Sequence, residues 1–326
     1  MSHDSSRSLA HRRQFLRAAA TGAAGLGGFS LLGLPAEAAT PALGQDRGEP
    51  LFTISLAQWS LHRTLGRDGK DNLTFPKRAK AYGIDAVEYV NSFWKEQAQD
   101  ARYLKDLKTV CESEGVQSVL IMVDGEGALG DPDAKKRSEA VANHHKWIDA
   151  ARSLGCHSIR VNAQSSGSWA EQTKLAVDGL RRLCEYGETA GVNVIVENHG
   201  GLSSNGKWLS TVLAMVGHPR MGALPDFGNF RVSKDELYDR YIGTAELMPF
   251  AKGVSAKSHD FDEKGDETGT DYRQMLRICC LDHGWRGRIG IEYEGGRLSE
   301  DEGIRATKAL LERVRDELST GLPANK

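Results

Sequence analysis

From residue 52 onward the chain alternates short apolar runs with longer stretches whose apolar positions recur every three to four residues. Short runs rich in Val, Ile and Leu read as strands, and the 3.6-residue recurrences read as amphipathic helices that cover them. Eight such runs occur, over residues 52–58, 86–90, 117–122, 158–162, 193–197, 222–226, 253–257 and 288–293. Residues 98–114, 134–154, 170–190 and 272–282 are the clearest helical stretches between them. Several helices run into a glycine (Gly83, Gly115, Gly155, Gly191 and Gly284) just ahead of the next strand. Glycine at that position accepts the left-handed turn that ends a helix. Regular alternation of strand and helix implies parallel pairing through right-handed crossovers. Eight repeats are what a closed (β/α)8 TIM barrel requires, so the expected fold class is α/β of that type. A doubly wound open sheet is the competing architecture, disfavoured because no G-x-G-x-x-G turn follows the first strand.

The first 50 residues do not share this pattern. Arg12-Arg13 directly precede an apolar stretch of Ala, Gly and Leu that runs to Leu34, and Ala36-Glu37-Ala38 has the small-x-small form of a cleavage site. This is the layout of a twin-arginine export signal. The expected organisation is a signal peptide over residues 1–38, a linker over 39–50, one barrel over 51–320 and a tail over 321–326. The twin-arginine machinery is then a partner during translocation, and the destination is the periplasm or its equivalent. The mature chain of about 285 residues suits a single large domain.

A formal net charge of −2 gives no basic face for phosphates, so nucleic acid is not an expected partner. The five cysteines (Cys111, Cys156, Cys184, Cys279 and Cys280) lack the paired spacing of a metal knuckle and are expected as buried thiols.

Chemistry concentrates where the strands end. The segments Val196-Glu197-Asn198-His199-Gly200-Gly201, Asp226-Phe227-Gly228-Asn229, Ser255-Ala256-Lys257-Ser258-His259 and Ile291-Glu292-Tyr293-Glu294-Gly295 each place polar, metal-competent residues at the carboxyl end of a run. That end of a parallel barrel is where active sites are built. Side chains alternate along a strand, so Glu197 shares a face with His199, Glu292 with Glu294 and Gly290, and Ser255 with Lys257 and His259.

These four segments, in this order, resemble the sugar phosphate isomerase/epimerase family of xylose isomerase-like barrels, a group that includes ketose 3-epimerases and inosose dehydratases. The resemblance covers almost the whole mature chain. It implies a divalent Mn, Mg, Co or Zn ion held by Glu, Asp, His and Glu from strands five to eight, which maps onto Glu197, Asp226 and Glu292. The family's histidine stands two residues before the lysine, where this chain has Ser255. His259, two residues after Lys257 and of the same parity, is the expected replacement, with the charge of Lys257 standing in for the metal's as the alternative. An ion bridging a ketone oxygen and a neighbouring hydroxyl would acidify the α C–H and stabilise an enediolate, with Glu197 and Glu292 as the paired acid and base.

Further residues surround this centre. His199 and Lys257 are expected at the substrate, as are Glu88 on the second strand, Trp59 and His62 after the first, and Trp94, with Phe93, after the second. An aromatic face packs on sugar C–H bonds while its neighbours bond hydroxyls, although core packing explains Trp59 equally well. Asp124 and Asn162 rank lower, as hydroxyl contacts, and His144-His145 is expected to face solvent. The favoured function is a metal-dependent isomerase or epimerase acting on a free sugar, keto-sugar or polyol. A lyase or dehydratase that eliminates a β substituent from a keto-sugar, keto-inositol or oxidised glycoside is the alternative. A non-catalytic sugar-binding barrel comes third, kept open by Ser255. A DNA-repair role on the same fold would need more histidines and a basic face. The sequence sets no oligomeric state, and a homo-oligomer stays open because such barrels often pair.

Overall fold

The computed structural model describes residues 50–321 apart from Asp68. The expected export segment over 1–38, nearly all of the 39–50 linker and the 321–326 tail lie outside the described residues. Among the described residues no helix is long and apolar enough to cross a membrane.

Among the described residues eight strands alternate with eight α-helices: β1 (Thr53–Ala57), α1 (Phe75–Ala81), β2 (Ala86–Val90), α2 (Ala101–Glu114), β3 (Gln117–Met122), α3 (Ala134–Leu154), β4 (Ser158–Val161) and α4 (Trp169–Ala190) form the first half. The second half is β5 (Asn193–Glu197), α5 (Gly206–Val216), β6 (Met221–Leu224), α6 (Arg240–Leu247), β7 (Ser255–Ser258), α7 (Tyr272–Arg277), β8 (Arg288–Tyr293) and α8 (Glu300–Ser319). Every strand pairing is parallel, in the order β6-β5-β4-β3-β2-β1-β8-β7. The remaining seam, between β6 and β7, is closed by the single-residue bridges Ala223 to Ala251 and Asp226 to Ser255. There Ser255 N–H donates to Pro225 O at 2.9 Å and Phe227 N–H to Ser255 O at 3.0 Å.

The helices begin and end as their sequences dictate. Asp100, Asp133, Ser168, Asp239, Asp271 and Ser299 each cap a helix with a side-chain oxygen on the first free N–H groups. Gly155 and Gly191, at φ 78° and 72°, close α3 and α4 in the left-handed conformation. Between helices and sheet lies the apolar layer, including Leu56, Val87, Tyr89, Ile121, Ile159, Val194 and Ile291, all fully buried. Inside the barrel a β-carbon on Gly253 would meet Leu120, Ile195 and Leu224, which marks these three as an apolar floor.

One expectation changes. His144 is buried, with Nδ1 2.7 Å from Ala140 O, because α3 packs between its neighbours along the row that carries it; His145 stacks on Tyr186 at 3.7 Å between ring centroids. The five cysteines are free and buried, as expected.

Candidate active site

Three carboxylates meet at the carboxyl end of the barrel. Glu197 ends β5, Asp226 follows β6 and Glu292 is the fifth residue of β8, and one oxygen from each lies within 4.8 Å of the others. All three are buried, at 1%, 0% and 4% exposure. Crowding like charges in a dry site is costly unless cations answer them, and two do. Arg160 of β4 places Nε 2.9 Å from Glu197 Oε2 and donates through Nη1 to Asp124 Oδ1 at 2.8 Å. Lys257 of β7 places Nζ 3.2 Å from both Glu292 Oε1 and Glu294 Oε1.

The rest of the site holds the carboxylates in place. Asn198 reaches across to the β6 end, donating to Asp226 O at 2.9 Å and accepting from Asp226 N–H at 2.7 Å. The Asp226 side chain accepts from the N–H groups of Gly228 and Asn229 at 2.9 and 2.8 Å, which fixes the tight turn. A β-carbon on Gly228 would lie 2.9 Å from Lys257 Cδ, so this glycine makes room for the lysine stem. Asn229 donates to Glu197 Oε1 at 2.8 Å, and Ser255 Oγ donates to Asp226 Oδ2 at 2.7 Å and to Glu292 Oε2 at 3.1 Å.

Two cations do not fully offset the acids. Burial pushes Glu197 up to about 7 against the pull of Arg160, and burial likewise pushes Asp226 up to about 7 against Lys257. Burial works the same way on Glu292, but Lys257 and Arg160 override it and hold this carboxyl below its ordinary range. Lys257 is held well above its ordinary value: burial opposes its charge, and Glu292, Asp226, Glu197 and Glu294 more than compensate. Glu197 Oε2 has no hydrogen-bond partner, since Arg160 Nε lies near it without pointing at it. A buried acid group with an unfilled lone pair, inside a triad of the right span, is what a divalent cation would complete, so the residues present fit such an ion.

The family model described as Xylose isomerase-like TIM barrel matches residues 76–314. The chain belongs to that family. Among solved structures, this family member is similar to a xylose isomerase-like TIM barrel protein from Mycobacterium smegmatis in complex with magnesium (TM-score 0.62, 18% identity, covering 85% of this chain and 99% of that one). It is also similar to a 3-keto-D-glucoside 4-epimerase from E. coli (0.63, 14%, 81% and 100%) and to an L-ribulose 3-epimerase (0.66, 12%, 84% and 99%). No curated protein sequence matches the chain. The neighbours of this xylose isomerase-like barrel therefore include sugar epimerases and a magnesium complex, and a small sugar is the substrate type of the epimerases among them.

The other expected site residues are less uniformly placed. His199 sits at the mouth, where burial and the charges of Arg160 and Lys257 lower its pKa. Trp59 and His62 stack at 5.1 Å with their rings 16° apart, partly exposed after β1, with the Arg67 guanidinium 5.4 Å from the Trp59 ring. Trp94 must be withdrawn from the ligand contacts. It is fully buried and packs on Tyr89, Tyr103 and Trp147, so no ligand reaches it.

Glu88 lies below the site rather than in it. Its carboxylate accepts from Ser55 Oγ at 2.6 Å and spreads over Gly290, where a β-carbon would be 2.6 Å from Oε1. It lines a cavity of about 220 Å³ with Gln117, Lys252 and Arg288, residues at the amino ends of their strands. His259 does not join the carboxylate group among the described residues. β7 ends at Ser258, the alternation stops there, and the His259 backbone N–H turns to Glu267 Oε1 at 3.2 Å. Asp124 and Asn162 are tied together at 2.6 Å and to Arg160 rather than left free.

Arg160 is the residue that the sequence pattern did not single out. Its signal was available in the Arg160-Val161-Asn162 alternation, which puts Arg160 on the inward face with Asn162. Asn198 and Asn229 were inside quoted motifs, but their roles depend on contacts between strand ends that spacing does not reveal.

Proposed function

We propose that this protein is a cation-assisted isomerase or epimerase of a free sugar, keto-sugar or polyol, working outside the cytoplasm after twin-arginine export. The observation that carries the reading is the buried triad of Glu197, Asp226 and Glu292 at the carboxyl end of the barrel, with Glu197 Oε2 beside the Arg160 charge but accepting no hydrogen bond. The residues that would hold the ion are these three. When bound, a divalent ion supplies Lewis-acid polarisation of a substrate carbonyl.

The protein's own groups do the remaining work. Glu292, kept ionised by Lys257, takes the proton from the carbon next to the carbonyl; Glu197, entering from β5, carries a proton to the other face. Carboxylates with unlike environments divide acid and base roles in this way. Arg160 keeps Glu197 and Asp124 in place through their charge, and Asn229 fixes the second Glu197 oxygen. Trp59 and His62 form the partly exposed edge against which a sugar ring can rest.

Proton exchange tests this directly. Incubating the protein with D-fructose, L-ribulose or a 3-keto-glucoside in D₂O and Mn²⁺ or Mg²⁺ should place deuterium next to the carbonyl, with loss of exchange in Glu197→Gln and Glu292→Gln. Loss of a β substituent without exchange into recovered substrate would point to elimination instead. Full exchange in either variant would remove the paired carboxylates from the mechanism.

A further inference from the structure

We propose that the centre is an oxygen-only cation site, suited to hard ions of the Mg²⁺ and Mn²⁺ kind, with Ser255 bracing two of its carboxylates; this rests on reading Glu197, Asp226 and Glu292 as the cation's ligands. The donor set carries the argument. Each of β5, β6 and β8 brings one carboxylate, and no nitrogen or sulfur donor joins them among the described residues. β7 completes the circle between β6 and β8, and its two inward side chains are a hydroxyl and an ammonium. Lys257 cannot ligate while it carries its proton, and its charge is fixed by two carboxylates 3.2 Å away. Ser255, at 1% exposure, spends its one proton on Asp226 Oδ2 and Glu292 Oε2.

Carboxylate, hydroxyl and water oxygens suit Mg²⁺ and Mn²⁺, whereas imidazole raises the preference for zinc and its neighbours. Three protein ligands leave the other positions to water and to substrate oxygens, the arrangement usual for an ion that keeps part of its hydration. The hydroxyl has a second effect. Asp226 and Glu292 stand on opposite sides of the β6–β7 seam, and the Ser255 proton between them offsets the repulsion that would spread them when no ion is bound. Ser255 is therefore a positioning residue whose loss weakens every ion alike, while a histidine in its place would weaken none and favour zinc.

Manganese serves as probe and reporter. The full chain, stripped with chelator, would be titrated with MnCl₂ and then by competition with ZnCl₂. The Mn²⁺-loaded protein would be examined by electron-spin-echo modulation for directly bound ¹⁴N. The wild type should bind Mn²⁺ without a ¹⁴N coupling. Ser255→Ala should bind both ions about tenfold more weakly, still without nitrogen, as expected for a residue that orients ligands. Ser255→His should show the coupling and raise zinc over manganese preference about tenfold or more. A ¹⁴N coupling in the wild type, or an unchanged preference in Ser255→His, overturns the proposal. Absence of Mn²⁺ binding in folded wild-type protein overturns both this and the cation-assisted reaction. Nitrogen-free Mn²⁺ binding without proton exchange refutes the reaction alone.

Discussion

Replacing Glu88 by Gln should stabilise the protein at alkaline pH and leave it nearly unchanged at acid pH. Glu88 is 2% exposed, its Oε1 accepts from Ser55 and its Oε2 has no partner. Burial pushes its pKa from 4.5 up to about 7, the Ser55 hydrogen bond pulls it down, and Glu292 and Glu197 add to the rise. A raised carboxyl pKa means that the folded state prefers the neutral form. The stability contributed by this preference is complete below the unfolded pKa of about 4.5, falls as the pH climbs to about 7, and stays lost above that. At 1.36 kcal/mol per pKa unit, the ionised form costs roughly 3 kcal/mol in the folded state.

Gln has nearly the same shape, keeps an oxygen for Ser55 and never ionises. Any cost of its amide N–H groups is independent of pH and cancels when two pH values are compared. Removing the charge also relieves Glu292 and Glu197, which acts with the same sign. Urea denaturation of wild type and Glu88→Gln at about pH 5 and about pH 9 should therefore show the variant gaining roughly 2–3 kcal/mol relative to wild type between the two conditions. A change below about 0.5 kcal/mol, near the error of such extrapolations, would refute the claim that burial disfavours the ionised form of Glu88.

Two other perturbations bear on the site and on the amino-terminal segment. Lys257→Met should lower stability by about 3–5 kcal/mol at neutral pH, because Glu292 is left buried without its cation. The same variant should move the acid limb of proton exchange to higher pH, as Glu292 loses the charge that keeps it ionised; a normal melting curve with an unmoved pH profile would count against the pairing. Changing Arg12-Arg13 to Lys-Lys should leave the full-length chain inside the cell, read by fractionation and immunoblot, whereas unaltered export would remove the twin-arginine assignment.

The barrel was legible in the sequence because its strands are short, apolar and regularly spaced. β2, β3, β5 and β8 fall where the hydrophobic runs begin and end. β6 and β7 were expected slightly out of place, since Gly222 and Gly253 leave little hydrophobic signal to mark a boundary, and Ser255-Ala256-Lys257-Ser258 barely reads as a strand at all. The three carboxylates were grouped through the resemblance of the strand-end motifs to the family, because alternation relates residues within one strand only and Asp226 stands two residues past β6. His259 shows where that rule ends, one residue past the strand. Trp94 was misleading for another reason: tandem aromatics in a loop look like a ligand edge, and only the three-dimensional packing on Trp147 shows that the loop folds inward. An arginine on a strand is ordinarily a surface residue, so Arg160 could not be identified until Glu197 and Asp124 were seen beside it.

The β6–β7 junction ties chemistry to mechanical integrity. Where the other neighbouring strands share runs of backbone hydrogen bonds, this pair is fastened by isolated bridges, one of which joins Asp226 to Ser255. Asp226 is thus a fastener of the wall as well as a member of the acidic triad, and Glu292 lies on the far side of the join. An ion gripped by Asp226 and Glu292 would act as a rivet across the thinnest part of the cylinder. Backbone amides of Ser255 and Phe227 should then exchange with solvent more slowly once the cation is in place, giving the protein a wall whose tightness records whether it is loaded.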